Sequence, residues 1–454
     1  MVIRHLTLLL LFVLVAAISA QAQPFPVGNV PEGRYTLSFD GIELSTPMLS
    51  SHSLDEIHPE ITRAILFVPD TTREVMTSGQ RLAAQADTAG AEATTLIVGL
   101  QFLIMDDIVE FELEDTNVAY WPRVWHSGFD GLSKPEAPRD TVVSSFVFMD
   151  SLMYRISDIC PNLQTMVISG GGTYVHRFAC GTSVPEEFER GDRAGIHLTR
   201  RPPVLFLAAT IDAFLYLNES RPQYTGGFAA VGNLFQSYVP EYNWYPFGLE
   251  NLVPYMAEKG VSFIMSRYPQ KNMIYFCGEN DTYPNWDNQN RLVQGLNNKM
   301  IAILYPLHLE EVFGATITHR LIIAQNVGPY DILRASELRP YLFEYIPSGY
   351  GYLEMATNVE DGDATPTDYR VDAAYPNPFN AATQVAVTLP TATDVTIRVF
   401  NIVGQEVARL ADGHLNAGEH TFSFDAADLA SGTYFLHVQA PGKLAELQKL
   451  TLVK

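Results

Sequence analysis

The chain has 454 residues, 47% hydrophobic and 18% charged, with a formal net charge of −22. That length admits two or three domains with a sizeable core, and the composition excludes a disordered chain. The acidity excludes a nucleic-acid partner and disfavours an anionic membrane surface.

Residues 1–22 read as a secretory signal peptide. Arg4 supplies the positive start, Leu6 to Ile18 the apolar stretch, and Ala20-Gln21-Ala22 a small-residue cleavage site, which puts the mature start at Gln23. No later segment reaches the ~18 apolar residues of a membrane span. Residues 33–46, GRYTLSFDGIELST, read as an antiparallel hairpin at a sheet edge. Across residues 23–355 come near-continuous apolar runs: AILFV, TTLIVGL, QTMVI, PVLFLAA, NMIYFC and HRLIIA. Such runs are strands buried on both faces. Stretches of helical periodicity such as SFVFMDSLMYRISDI separate several of them, so the expected class is α/β, a mostly parallel sheet with helices on both faces.

Residues 356–370 are polar and read as a linker, and Asp361-Gly362-Asp363 lacks the full ligand pattern of a calcium loop. Residues 371–454 change texture. TQVAVTL, DVTIRVFN, EHTFSFD, GTYFLHVQA and LQKLTLVK alternate with period two between turn signals, which predicts a small all-β sandwich. The three cysteines, Cys160, Cys180 and Cys277, are too few for a disulfide scaffold and lack metal-ligand spacing. They read as small buried apolar residues, with a single bridge between two of them left open. No metal and no cofactor is expected.

Several motifs in residues 371–454 occur in one order: Tyr375-Pro-Asn-Pro-Phe379-Asn380, VTIRVFNIVGQEVARL, NAGEHTFSFD, Ser431-Gly432-Thr-Tyr434-Phe435 and KLTLVK. This stretch resembles the C-terminal sorting domain of type IX secretion cargo. It departs from that family's pattern at Ala381, where proline is usual. The resemblance implies the type IX secretion machinery as partner. It also implies secretion, with attachment to the outer-membrane surface as one outcome, and says nothing of the cargo's own activity.

The order of the pieces in the middle of the chain resembles an α/β-hydrolase. ITRAILFVPDTTR stands where that fold has its oxyanion loop, PNLQTMVISGGGTYVHRFA where it has strand, nucleophile elbow and helix, and NMIYFCGENDTYPN where it carries the acid. The resemblance implies Ser169 as nucleophile and Asp281 as triad acid. A serine hydrolase also needs a base and backbone N–H donors for the oxyanion. Here the sequence departs at three places. Val167 replaces the first glycine of G-x-S-x-G, Pro69-Asp70 replaces the His-Gly-like pair of the oxyanion loop, and Pro329-Tyr330 stands where the histidine belongs. Proline has no N–H to offer, and a carboxylate repels a developing oxyanion. Asp70 reads instead as the cap of a following turn. His319 lies at the far end of its strand, His308 reads as a helix-surface or core residue, and His176 faces away on the helix after the elbow. Tyr330 and His126, in VWHSGFDG, are the remaining candidate bases. The expected function is an exported cargo with a non-catalytic or weakly catalytic hydrolase scaffold, binding an ester or polymer ligand at the cell surface. Aromatic residues of VAYWPRVWHSGFDG and YVPEYNWYPFGLE are candidates to line its pocket. The alternative is an extracellular serine esterase or depolymerase that uses Ser169 and Asp281 with an unrecognised base.

Overall fold

The structure is a computed structural model, described here for residues 26–39, 41–70, 72–193, 196–197, 202–223, 228–231, 241–282, 294–295, 297–314, 317, 319–329, 331–347 and 368–454. The signal peptide and the linker core at 356–367 lie outside these residues.

The body is one eight-stranded sheet. Its strands are β1 (Arg34–Phe39), β2 (Ile42–Ser50), β3 (Arg63–Val68), β4 (Thr95–Leu100), β5 (Thr165–Gly171), β6 (Val204–Ala209), β7 (Asn272–Gly278) and β8 (Arg320–Ala324). They lie in the order β1-β2-β4-β3-β5-β6-β7-β8. The hairpin β1–β2 is antiparallel and joins β4 antiparallel, while every pairing from β4 to β8 is parallel. β3, β4 and β6 are buried at every position, as their unbroken apolar runs require.

Alternate residues serve opposite faces. Leu66, Ile168 and Phe206 pack with α2 (Ser145–Ile159), α3 (Gly172–Gly181) and α4 (Asn298–Phe313). Phe67, Val167 and Leu207 pack with α1 (Val75–Thr88) and with Leu338, Tyr341 and Leu342. Ser144 caps α2 by accepting the Phe146 amide, and Asn297 caps α4 by accepting the Met300 amide. Cys160, Cys180 and Cys277 are all buried and free. Among the described residues no helix is long and apolar enough to cross a membrane.

The C-terminal part is a sandwich. A three-stranded sheet holds β9 (Arg370–Val371), β10 (Ala382–Leu389) and β13 (Gly418–Asp425). A four-stranded sheet runs β12-β11-β14-β15, with β11 Thr393–Asn401, β12 Glu406–Leu415, β14 Gly432–Ala440 and β15 Leu444–Leu452. The NPFN motif ties the start of the sandwich to its last strand. Asn377 donates to the Lys449 carbonyl at 2.7 Å and accepts the Thr451 amide at 2.9 Å, while Phe379 enters the core. Ala381 has φ 67°, a conformation that a proline ring forbids.

One buried charge pair fastens the segment around Val27. Asp107 is fully buried, 2.9 Å from the Arg73 guanidinium, and accepts the amides of Val27 and Ile104 at 2.8 Å each. Asp107→Ala breaks a buried ion pair and removes the acceptor of two amides, so it is expected to cost about 3–5 kcal/mol, read as a lower urea midpoint.

Candidate active site

The carboxyl ends of β3, β5, β6 and β7 converge where a parallel sheet ordinarily builds its site. β5 ends in Ser169-Gly170-Gly171 and passes directly into α3 at Gly172. Ser169 is still a strand residue. It is in register with Phe67 on one side and Leu207 on the other, and is fully buried. Its hydroxyl has no hydrogen-bond partner among the described residues.

The residue on the turn is Gly170, with φ 111°. A side chain there meets both a disfavoured backbone conformation and a steric block, because a Cβ on Gly170 falls 2.0 Å from the Val68 carbonyl oxygen. Its neighbours are equally confined. A Cβ on Gly171 falls 2.8 Å from the Pro69 carbonyl oxygen, and one on Gly172 falls 2.6 Å from the Ala209 carbonyl oxygen. The three glycines let β3, β5 and β6 close together at their tips. The strand–turn–helix that presents a nucleophile in a serine hydrolase here presents a glycine with no room for a side chain. The resemblance gives the nucleophile's place to Ser169, and the turn itself falls within the run of three glycines that follows it.

Asp281 follows β7 as the acid of the resemblance does. Its amide donates to the Gly278 carbonyl at 3.0 Å, and its own carbonyl accepts the Lys299 amide at 2.9 Å. One carboxylate oxygen accepts Asn298 Nδ2 at 3.1 Å, and the other has no partner among the described residues. Burial pushes this carboxyl up to about 6, and the nearby Asp212 adds to the rise. No hydrogen bond joins Asp281 to a histidine among the described residues. Asp281 is thus tied to the start of α4.

The histidines weighed as bases are engaged elsewhere among the described residues. His126 lies next to Arg177 of α3, whose Nη1 donates to the imidazole Nδ1 at 2.9 Å. That bond occupies the lone pair a neutral imidazole would use as a base. Tyr330 lies outside the described residues, and the carbonyl of the neighbouring Pro329 accepts the Thr210 hydroxyl at 3.0 Å. His176 is inside the core, accepting the Leu215 amide on Nε2 at 2.9 Å, so its Nδ1–H must donate to Tyr268 Oη at 2.8 Å. His319 Nε2 lies 3.0 Å from the Tyr268 carbonyl and must donate to it, so its Nδ1 accepts from Tyr275 Oη at 2.7 Å. The Tyr268 and Tyr275 hydroxyls, 2.7 Å apart, complete a chain in which every proton has one place, with Tyr268 donating to Tyr275. Burial holds His176 far below the ordinary histidine range and lowers His319 to about 3, so both stay neutral. His308 is a core residue of α4, accepting the Leu217 amide at 3.2 Å, and burial lowers it to about 3. On the oxyanion side, Asp70 accepts both the amide and the hydroxyl of Thr72, the turn cap that its sequence suggested.

The aromatic stretches are mostly packing. Tyr120, Trp121 and Trp125 are buried, the two tryptophans beside Phe102. Tyr242 and Tyr245 are buried too, while Trp244 is exposed. Of the two roles their sequence left open, packing is the one these buried residues take, and Trp244 is the exposed exception. Among the described residues no group of three His, Cys, Asp or Glu side chains could hold a metal ion.

Two mutational outcomes follow from the crowding. Gly170→Ala is expected to cost about 3–5 kcal/mol, from backbone strain plus overpacking. Ser169→Ala removes a buried, unpartnered hydroxyl and is expected to be neutral or stabilising. Thermal unfolding of both variants checks this pair. Asp281 gives a pH signature. Its folded carboxyl, at about 6, lies above the unfolded value, so the folded state holds the proton more tightly. Stability therefore falls as pH rises from about 4 to 6, by on the order of 3 kcal/mol at most. Asp281→Asn is expected to flatten that slope, as seen by urea unfolding at pH 4 and pH 8.

No curated protein sequence matches the chain. Among solved structures, the chain is similar to the siderophore hydrolase EstB from Aspergillus nidulans, at 9% identity over 71% of this chain and 98% of that one, with a TM-score of 0.35. It is similar to an S-formylglutathione hydrolase from Agrobacterium tumefaciens, at 8% identity over 70% and 97%, with a TM-score of 0.34. An alpha-beta serine hydrolase homologue from Coxiella burnetii gives 6% identity over 69% and 97%, with a TM-score of 0.28. These likenesses carry no activity to this chain. Residues 373–453 match the family described as the secretion system C-terminal sorting domain. The sandwich that follows the α/β body is a secretion-system sorting domain, and the chain that carries it is built for export.

Proposed function

We infer that this chain is type IX secretion cargo, delivered to the cell exterior, whose α/β-hydrolase-like body does not hydrolyse esters and acts by binding at the surface. The observation that carries the reading is Gly170. It holds the left-handed turn between β5 and α3, and the Val68 carbonyl leaves no space there for a nucleophile. Three further features agree. The Ser169 hydroxyl is buried within a strand, Asp281 is tied to Asn298, and His126 has its lone pair engaged by Arg177. A serine hydrolase that loses its nucleophile or base loses several orders of magnitude in rate. The ester or polymer ligand of the sequence reading keeps its place as the class to be screened, with Trp244 an exposed aromatic to test first.

The purified protein is expected not to label with a fluorophosphonate and to hydrolyse short-chain aryl esters no faster than buffer. Labelling at Ser169 that Ser169→Ala abolishes would overturn the reading and restore the esterase. Export is tested separately. Deleting residues 371–454 is expected to leave the protein in the periplasm, and its appearance on the surface without them would refute the sorting role.

A further inference from the structure

A strand at the edge of a sheet presents unpaired N–H and C=O groups, a liability that proteins cover, charge or twist away. β8 is such a strand, since β7 pairs one side of it and, among the described residues, no strand of the body pairs the other. The sorting domain covers that side, and it does so with side chains. His437 Nε2 donates to the Leu321 carbonyl at 2.9 Å, Gln439 Oε1 accepts the Ile323 amide at 3.1 Å, and Arg398 Nη2 donates to the Ile323 carbonyl at 3.0 Å. Two residues on, Gln325 Nε2 donates to Thr396 Oγ1 at 3.0 Å. The three backbone contacts fall on Leu321 and Ile323, alternate residues of β8.

The donor side is as regular. Arg398 stands opposite His437 and Thr396 opposite Gln439 in the β11–β14 ladder, so these four occupy one face of the four-stranded sheet. Phe400 and Phe435, opposite each other on the same face, enter the core of the body with α4, where Lys299 sits over the Phe400 ring at 5.7 Å. The other face of the same strands, with Val399, Leu436 and Val438, fills the sandwich core. Arg398 and His437 are fully buried, and Arg398 also meets Glu279 at 3.3 Å. An antiparallel sheet ordinarily leaves one face to water. Here the second face is built for the body.

We propose that this interface holds the sorting domain on β8 without the help of the linker, so that cutting the chain between them does not release it. The domain is then a lasting seal on the sheet edge as well as an export signal. The partner of the Thr396–Arg398–His437–Gln439 face is the chain's own edge strand.

The test uses the full chain with a specific protease site inserted within residues 356–367. After complete cleavage, the two fragments are expected to co-elute at the intact mass in gel filtration at physiological salt and low micromolar concentration. Separate elution of two folded fragments would overturn the proposal. Arg398→Met keeps bulk but loses the charge-assisted bonds to Ile323 and Glu279. It is expected to weaken fragment association by roughly ten- to a hundredfold. Gln325→Ala, on the body side, serves as a second variant where Arg398→Met does not fold, with a smaller loss expected. Undiminished association in whichever variant folds would show that edge capping is not what holds the domain.

Discussion

Three backbones meet at the carboxyl end of the sheet, and the identity of the site depends on how closely they do so. At Gly170, Gly171 and Gly172 the space where a Cβ would stand is taken by carbonyl oxygens of β3, of the segment after it, and of β6. Packing of this kind leaves no graded option. A side chain at Gly170 must displace a strand or force its own backbone out of the left-handed region. The tip that would present a reactive group is therefore spent on closing the sheet. The residues around it are consistent with that closure. Ser169 stays in the strand, Asp281 anchors the start of α4, and His176 and His319 are absorbed into one buried hydrogen-bond network.

Polar groups in this molecule are mostly structural, and burial is what makes them so. Asp107 gathers a guanidinium and two backbone amides in the core. His176 and His319 bracket two tyrosines in a chain whose every donor has one acceptor. Such networks give a core a single register because a half-satisfied version is worse than an apolar one. The same rule operates at β8, where carbonyl and amide groups at the sheet edge take their partners from side chains of the sandwich. Glu279 joins the two regions. It pairs with Arg398 and accepts the Asn326 amide, linking the turn after β7 to the sorting domain and to the loop where a triad histidine would stand.

The strand runs, the edge hairpin, the helix at SFVFMDSLMYRISDI and the terminal sandwich were all legible in the sequence. Their signals are local: apolar runs for doubly buried strands, a 3.6-residue period for the helix, and turn residues between alternating segments. The sorting motif was legible for the same reason, since Asn377 and Phe379 act within a few residues of chain or against one fixed strand. The candidate site was only half legible. Three departures from the hydrolase pattern pointed to lost chemistry, yet the position of the turn within Ser169-Gly170-Gly171 is set by where β3 and β6 run, which no local pattern records.

By itself the sequence determined the class of fold, the places where chain texture changes, and the export signal, because each rests on periodicity or on a short motif. The tertiary structure decided which residue stands on the turn, because that depends on carbonyl oxygens of strands about a hundred residues before it and forty after it. It also decided the fate of Arg398, His437 and Gln439. Alternation along β11 and β14 marks these polar residues for water, since a two-residue period distinguishes only the two faces of a strand. Which face meets solvent is settled by what lies beyond the sheet, and here that is the edge of β8, which pairs with no further strand among the described residues.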